Sequence, residues 1–517
     1  MGHLPAVMKS AHSTSRRADS RRFRYHPGSR KSGNRRSKGD PVQVQSRSKL
    51  RRLVLESLAG IAALVLAGCS SAPNSTTGPA RQPKNIIIMF ADGAAPTQWD
   101  FGRYSSKVLR NQTFATTDVV FRDGTAGLLA TSPHGAYVTD SAAAASAMSI
   151  GAKVANGAVS IAPDGKAGRT VMQAAKAAGK RIGLVTTATV YDATPAAFSI
   201  NAKSRRDSQA LVDLYLALEP DVILGGGADY FLPAATPGGK RNDGKDIVAA
   251  FRARGHQVAR NSAELKGATG AKLIGLFADE DMDFELDRDP AREPTTAEMA
   301  AAALRALSQQ SPNGFVLLVE NENSDTAGHA NDAAALMRAL WAFDDAVKVA
   351  LEFQRRNPDT LVIVTGDHET GGFSPTYALK DLSSLSSGNR FYAGDDQLRM
   401  LERITMSLNM VRDKLGKKPS GEVLDGLLAK HFPGFRLDPD LRELILKQQA
   451  LDRNFTYVPQ NVLGRMIARQ TGYYWGTSGH TPEPVLVGAI GPGADLFRGY
   501  QDNSDFGKHL HRLIRGD

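Results

Sequence analysis

The chain has 517 residues, 42% of them hydrophobic, which is enough to bury a large core and, by length alone, to make two to four domains. Its formal net charge of +11 is confined to one end: residues 1–52 hold 15 Lys/Arg against 2 Asp/Glu, and the remainder holds 49 against 51. The body therefore lacks the basic excess that nucleic-acid binding requires, so no nucleic-acid partner is expected, and a single cysteine rules out an internal disulfide.

The basic arm leads into an apolar run, Leu58 to Leu66, and then into Leu66-Ala67-Gly68-Cys69. A charged flank, a short apolar core and small residues make an export signal, and the run is short for a bilayer-spanning helix. Cysteine directly after Leu-Ala-Gly resembles the lipobox of bacterial lipoproteins. That resemblance implies removal of residues 1–68, a lipid on Cys69, and an exported, membrane-anchored protein, periplasmic or at the cell surface. The flank is long for such a signal and fits a translation start at Met8 or beyond. Residues 69–83, rich in Ser, Pro and Thr, read as a flexible tether.

From Lys84 onward apolar runs of strand length alternate with helical patterns. Strands are predicted at Asn85–Phe90, Arg181–Thr187, Asp221–Leu224, Lys272–Phe277, Phe315–Val319, Leu361–Val364 and Pro484–Ile490, with helices at 206–219, 295–310 and 331–355. Continuously apolar strands separated by helices predict an α/β fold with a mostly parallel central sheet covered by helices on both faces. Residues 376–472 break the rhythm. They are mixed, polar and largely helical in pattern, and are expected to form a helical, irregular crown inserted over the sheet edge.

In an open parallel sheet, ligands bind beyond the carboxyl ends of the strands. The residues expected there are acidic: Asp92, Glu320, Asp367 followed by His368, and, a few residues past 181–187, Asp192 with Thr194. One acid at such a place reads as a helix cap or a solvated turn. Four that converge repel strongly without cations, which points to a multi-metal site. Asp325 and His329, four residues apart, would share a helix face, and His480 precedes the last apolar run. Imidazole with carboxylate suits zinc, whereas carboxylate with hydroxyl suits magnesium. His134, His256, His431, His509 and His511 read as packing or surface residues. Thr139-Asp140-Ser141 precedes the alanine-rich stretch Ala142–Met148, which puts Ser141 at a helix N-terminus, in the manner of an N-cap. Free N–H groups and the helix dipole favour anions there. Beside metal ions such a hydroxyl becomes a nucleophile without a neighbouring histidine base.

Six stretches, taken together and in this order, resemble the alkaline phosphatases: Asn85 through Asp92-Gly93, Val138-Thr139-Asp140-Ser141, Asp192-Ala193-Thr194, Glu320 through Asp325 to His329, Asp367-His368-Glu369-Thr370, and His480-Thr481. The resemblance covers about residues 84–500, within a catalytic domain expected to run over 84–517. It implies hydrolysis of small phosphate monoesters through a phosphoserine on Ser141, with two Zn2+ and one Mg2+. Asp325, His329 and His480 are implied as ligands of one zinc. Asp367, His368 and Asp92, completed by Ser141, are implied for the other, and Asp92, Thr194 and Glu320 for the magnesium. Arg205, thirteen residues after Asp192, stands where the family keeps its phosphate-binding arginine, with Arg206 as a neighbouring competitor. Asp140, Asp192 and Thr326 are expected around the ligands, and Thr326 occupies the place of a lysine found in enterobacterial relatives. Glu322 and Glu369 are acids the pattern does not need as ligands and read as outer contacts or solvated groups. A membrane contact through Cys69 and a homodimer, common among relatives, complete the implied partners. Two alternatives stay open: another branch of the superfamily, a phosphodiesterase or sulfatase, and a non-catalytic phosphate-binding surface lipoprotein.

Overall fold

Residues 82–381 and 385–515 are described by the computed structural model. The basic leader, the export signal with Cys69, and the tether as far as residue 81 lie outside the described residues. The central sheet is built from β1 (Asn85–Ala91), β2 (Thr125–Ala130), β3 (Arg181–Thr189), β4 (Val222–Gly226), β5 (Gln257–Ala259), β6 (Leu273–Leu276), β7 (Phe315–Asn321), β8 (Thr360–Thr365), β9 (Val485–Ile490) and β10 (Gly499–Asp502). Their order across the sheet is β10-β2-β9-β8-β1-β7-β3-β4-β6-β5. Neighbours pair in parallel except β9, which is antiparallel to both β8 and β2. β1 lies between β7 and β8, with Ile87 in register with Leu317 on one side and Val362 on the other.

The pleat explains why the central strands are apolar throughout. Ile87, Met89 and Ala91 of β1 enter one core, and Ile86, Ile88 and Phe90 enter a second core on the opposite face. β8 divides in the same way, Val362 and Val364 against Leu361 and Ile363. Successive side chains point to opposite faces, so a strand covered on both sides has no position for a polar residue. The first face is covered by α3 (Thr296–Ser308) and α5 (Ala333–Arg356), through residues such as Met299, Leu307, Leu336 and Leu340. The second is covered by α1 (Ser141–Ile150), α2 (Ala193–Ser199) and α7 (Asn503–Arg515), through Ala145, Met148, Ala196, Phe506 and Leu510.

All seven predicted strands are present. β2, β5 and β10 were not predicted: β10 reads Gly-Tyr-Gln-Asp, β5 is three residues at the sheet edge, and the apolar run of β2, Leu128-Leu129-Ala130, is short and follows a glycine. Such strands are recruited by the unpaired backbone of the neighbouring strand.

Residues 376–472 form a short hairpin (Tyr377–Leu379 with Arg390–Tyr392) and helices that end with α6 (Gln460–Thr471). They pack on α5 and, through Asn461, on the backbone of His329 beyond the strand ends. Their apolar residues Leu398, Leu401, Val411 and Leu463 share a core with α5, Leu408 N–H donates to Asp332 Oδ2 (2.7 Å), and Arg338 donates to Glu402 O (2.8 Å). An amphipathic helix needs an apolar surface to cover, which the helix layer offers.

Candidate metal centre and active site

The topology delivers the polar residues to one rim. β1 ends at Ala91 and leads into Asp92, β7 carries Glu320 in its last turn of pleat, β8 leads into Asp367 and His368, and β3 leads into Asp192 and Thr194. β9 runs the other way, so its first residue, Val485, lies beside Leu129 near the end of β2. That reversal brings the preceding His480 to the same rim. Helix α4 (Asn323–Ala330) supplies Asp325 and His329 one turn apart. Gly93, at φ +73°, allows the close approach of these pieces: a Cβ there would lie 2.8 Å from Asp325 Cα, and its N–H donates to Asp367 Oδ1 (3.3 Å).

Two groups of three could each hold a metal ion, Asp325–His329–His480 and Asp92–Asp367–His368, with one donor atom of each residue within 4.8 Å of the others in its group. His329 Nε2 is 3.1 Å from Asp325 Oδ2, and His368 Nε2 is 3.1 Å from Asp367 Oδ2 and 3.6 Å from Asp92 Oδ1. Asp92, Asp325, Asp367 and His368 are buried, and His329 and His480 are partly buried.

The outward nitrogen of each imidazole fixes the tautomer. His329 Nδ1–H donates to Ser478 O (2.6 Å) and His480 Nδ1–H donates to Thr139 O (2.7 Å), since a carbonyl can only accept. Thr370 Oγ1–H donates to Asp325 Oδ1 and in turn accepts from His368 Nδ1–H (3.2 Å). All three rings thus aim Nε2 into the site, which is the arrangement that orients metal-binding histidines.

Three inward carboxylate oxygens, Asp92 Oδ1, Asp367 Oδ2 and Glu320 Oε1, are buried without a hydrogen-bond donor. Burial, then Asp367 and Asp325, holds Asp92 well above the usual carboxylate range. Burial likewise pushes Glu320 up to about 8 and, with Asp325, Asp367 up to about 7. Burial also drives His368 down, to its neutral form. Unpaired buried carboxylates facing neutral imidazole nitrogens are costly alone and become favourable around a cation. The residues therefore fit bound divalent metal. Thr194 Oγ1 donates to Asp92 Oδ2 (3.4 Å), and Glu320 Oε2 accepts from Thr186 Oγ1 (2.6 Å), which leaves Glu320 Oε1 free on the same side.

Ser141 is the first residue of α1, not its cap. Asp140 takes the cap position and accepts from Ala143 N–H (2.9 Å), so Ser141 Oγ is free to donate to His368 Nε2 (3.2 Å). The second oxygen of Asp140 accepts from Gly157 N–H (2.9 Å) and lies 3.7 Å from Arg205 Nη1. Arg205 Nη2 donates to Asp192 Oδ1 (3.0 Å), so two carboxylates aim the guanidinium beside Ser141, while Arg206 is exposed. Thr326 Oγ1 donates to Glu322 Oε1 (2.6 Å).

A sequence model described as alkaline phosphatase matches residues 83–515. The chain belongs to the alkaline phosphatase family. It is 28% identical over 454 residues to alkaline phosphatase 3 of Bacillus subtilis (strain 168), covering 86% of this chain and 92% of that protein. The crystal structure of Thermus thermophilus alkaline phosphatase superposes with a TM-score of 0.72 at 31% identity, covering 86% of this chain and 94% of that one. The cold-active alkaline phosphatase of a Shewanella species superposes at 0.67 with 31% identity, covering 83% and 99%. Family membership makes the chain a metal-dependent phosphatase of phosphate monoesters.

Several working residues were not singled out from sequence. Thr370 stands two positions after His368, a spacing that could have suggested a shared face. Asn461 Nδ2 donates to His329 O (2.8 Å), so the inserted segment braces a site residue across a separation in sequence that no local pattern reveals. Glu369, expected to be an outer or solvated group, is buried and accepts from Gln98 Nε2 (2.6 Å), Phe373 N–H (3.0 Å) and Thr481 Oγ1 (2.7 Å). It ties the segment after β8 to the segment before β9.

Proposed function

We propose that the chain hydrolyses phosphate monoesters to an alcohol and inorganic phosphate through a phosphoserine on Ser141. Two zinc ions would be held by Asp325, His329 and His480 and by Asp92, Asp367 and His368, and one magnesium ion by Asp92, Thr194 and Glu320. The supporting observation is the convergence of buried carboxylates, with oxygens that lack donors, on imidazoles whose tautomers are already set. When bound, the cations supply charge stabilisation to the attacking and leaving oxygens.

The chain's own groups do the rest. Ser141 Oγ, at the start of α1 and unencumbered by capping, forms the new bond to phosphorus as the alcohol oxygen departs. Arg205, held by Asp140 and Asp192, presents a two-pronged donor to two phosphate oxygens. The first helical N–H groups of α1 add to the anion-favouring field. Water then cleaves the phosphoserine and restores the hydroxyl. Charge stabilisation and positioning dominate, as phosphoryl transfer demands.

The test is metal removal with matched substrates. Exhaustive chelation should abolish hydrolysis of an aryl phosphate monoester, zinc with magnesium should restore it, and the corresponding diester should be cleaved far more slowly. Full activity with no metal detected would contradict the reading. Cys69 lies outside the described residues, and no helix among them is long and apolar enough to cross a membrane. The reading of Cys69 as an acylated anchor rests on Leu66-Ala67-Gly68-Cys69. Mass spectrometry of the mature protein tests it, and an unmodified Cys69 retained there would end it.

A further inference from the structure

A cavity of about 430 Å3 opens against His329 and is walled by Asp281, Asp283, Asp287, Glu322 and Tyr457, among others. Six acids line it together with one cation, Arg412, and four of the six have no ion-pair partner among the described residues. Glu280 is paired with Lys240 and Asp413 with Arg412, whereas Asp281, Asp283, Asp287 and Glu322 enter no ion pair among the described residues. Asp281 accepts the N–H of Thr189 (2.7 Å) and Asp287 that of Ser407 (3.2 Å). Glu322 Oε1 accepts from Thr326, but Glu322 Oε2 is buried and has no hydrogen-bond partner. An uncompensated buried carboxylate oxygen among three further acids is the environment a cation relieves.

The place of the cavity says which part of a substrate reaches it. Ser141 lies on His368, within the Asp92–Asp367–His368 group. In an in-line displacement the leaving oxygen departs opposite the attacking one, which is the side of Asp325, His329 and His480. The cavity opens on that side, at His329. Tyr457, 39% exposed and with its ring 5.4 Å from that of His329, adds an aromatic face.

We propose that this cavity receives the alcohol part of the substrate and selects phosphate monoesters whose alcohol bears a cationic group, an amine or quaternary ammonium, with Asp281, Asp283, Asp287 and Glu322 as the specificity-determining residues. The inference rests on the phosphomonoesterase reading above. A unit charge several ångströms from a carboxylate, at an effective dielectric of about 20, changes an equilibrium constant about tenfold or more. Because the cavity is open to solvent, salt should weaken the effect.

The experiment compares phosphocholine with 3,3-dimethylbutyl phosphate, which has the same shape without the charge, on the zinc- and magnesium-saturated enzyme. Expected is a kcat/KM about tenfold or more in favour of phosphocholine, shrinking with added salt. In an Asp283→Asn/Asp287→Asn variant the preference should fall about threefold or more, with kcat/KM for the neutral ester unchanged. Calorimetric binding of choline, which involves no turnover, should weaken in the same variant. Equal kcat/KM for the two esters in the wild type would overturn the inference, as would a preference that salt and the double substitution both leave intact. A divalent cation filling the cavity would favour the neutral ester and would overturn it as well. Absence of turnover on either ester would contradict the phosphomonoesterase reading, and choline binding would still decide the charge preference of the cavity.

Discussion

Nε2 of His329 and Nε2 of His480 face each other at 3.2 Å, although both rings have committed their Nδ1–H to backbone carbonyls. Two lone pairs cannot hold that position unaided. Without metal a proton fills the gap: burial alone would lower His329, but Asp325 outweighs it and pushes His329 up to about 9. At pH 8 the metal-free ring is therefore protonated, and a cation must displace that proton. Zinc titration of the chelated protein at pH 8 should release at least one proton per protein, read from the dependence of calorimetric enthalpy on buffer ionisation enthalpy. Zinc binding without proton release at that pH would contradict this.

The buried acids make the metal-free protein sensitive to alkali. Burial raises Glu320 to about 8 and Asp367 to about 7, both above their unfolded values. For acids with raised folded values, stability is fully present below the unfolded values, about 4, and is lost as pH rises through 7 and 8. His329, also raised, acts in the same direction over its own range. The melting temperature of the chelated protein should fall between pH 5 and 9, and zinc with magnesium should remove most of that fall. Parallel pH profiles with and without metal would show that these carboxyls do not bear on metal binding.

Thr370 is a positioning residue. Its hydroxyl connects His368 Nδ1 to Asp325 and so joins the two metal groups. Thr370→Val keeps the shape and removes the link. Zinc affinity should weaken by about 10–100-fold, the range for outer partners of metal ligands. Thr370→Ser should restore most of it. A valine variant with unchanged zinc affinity would reduce Thr370 to packing.

Thr326 donates to Glu322 at the mouth of the acidic cavity, where enterobacterial relatives carry a lysine. Thr326→Lys adds a cation beside Glu322, one residue after the site residue Asp325. Inhibition by inorganic phosphate should tighten about tenfold, the size of one charge at several ångströms. Turnover should slow wherever phosphate release limits it. An unchanged inhibition constant with metals saturating would show that position 326 does not tune product release.

The sheet was legible because two-sided burial writes itself as Ile86-Ile87-Ile88-Met89, an apolar run with no alternation. The acids at the strand ends were legible for the opposite reason, as Asp92, Glu320 and Asp367 interrupt such runs where a ligand would lie. What escaped was set by distant backbone. β10 has no apolar side-chain pattern and is held by pairing with β2, and the carbonyls that fix His329 and His480 belong to Ser478 and Thr139. Carbonyl direction depends on the folded path, not on residue type. The placement of Asp140 rather than Ser141 as the cap of α1 turned on a single residue of register, which local propensity does not resolve. The acidic cavity brings Asp281 beside Glu322 from a distant part of the chain, and Asp281 belongs to no motif.

The most direct measurement is acid-quenched phosphate trapping. The enzyme is mixed with an aryl phosphate monoester, quenched in acid, digested and mapped by mass spectrometry. Phosphate is expected on Ser141 alone, and Ser141→Ala should lose both the label and most turnover while keeping its zinc. Label on another residue, or full turnover by the alanine variant, would contradict the mechanism built on Ser141.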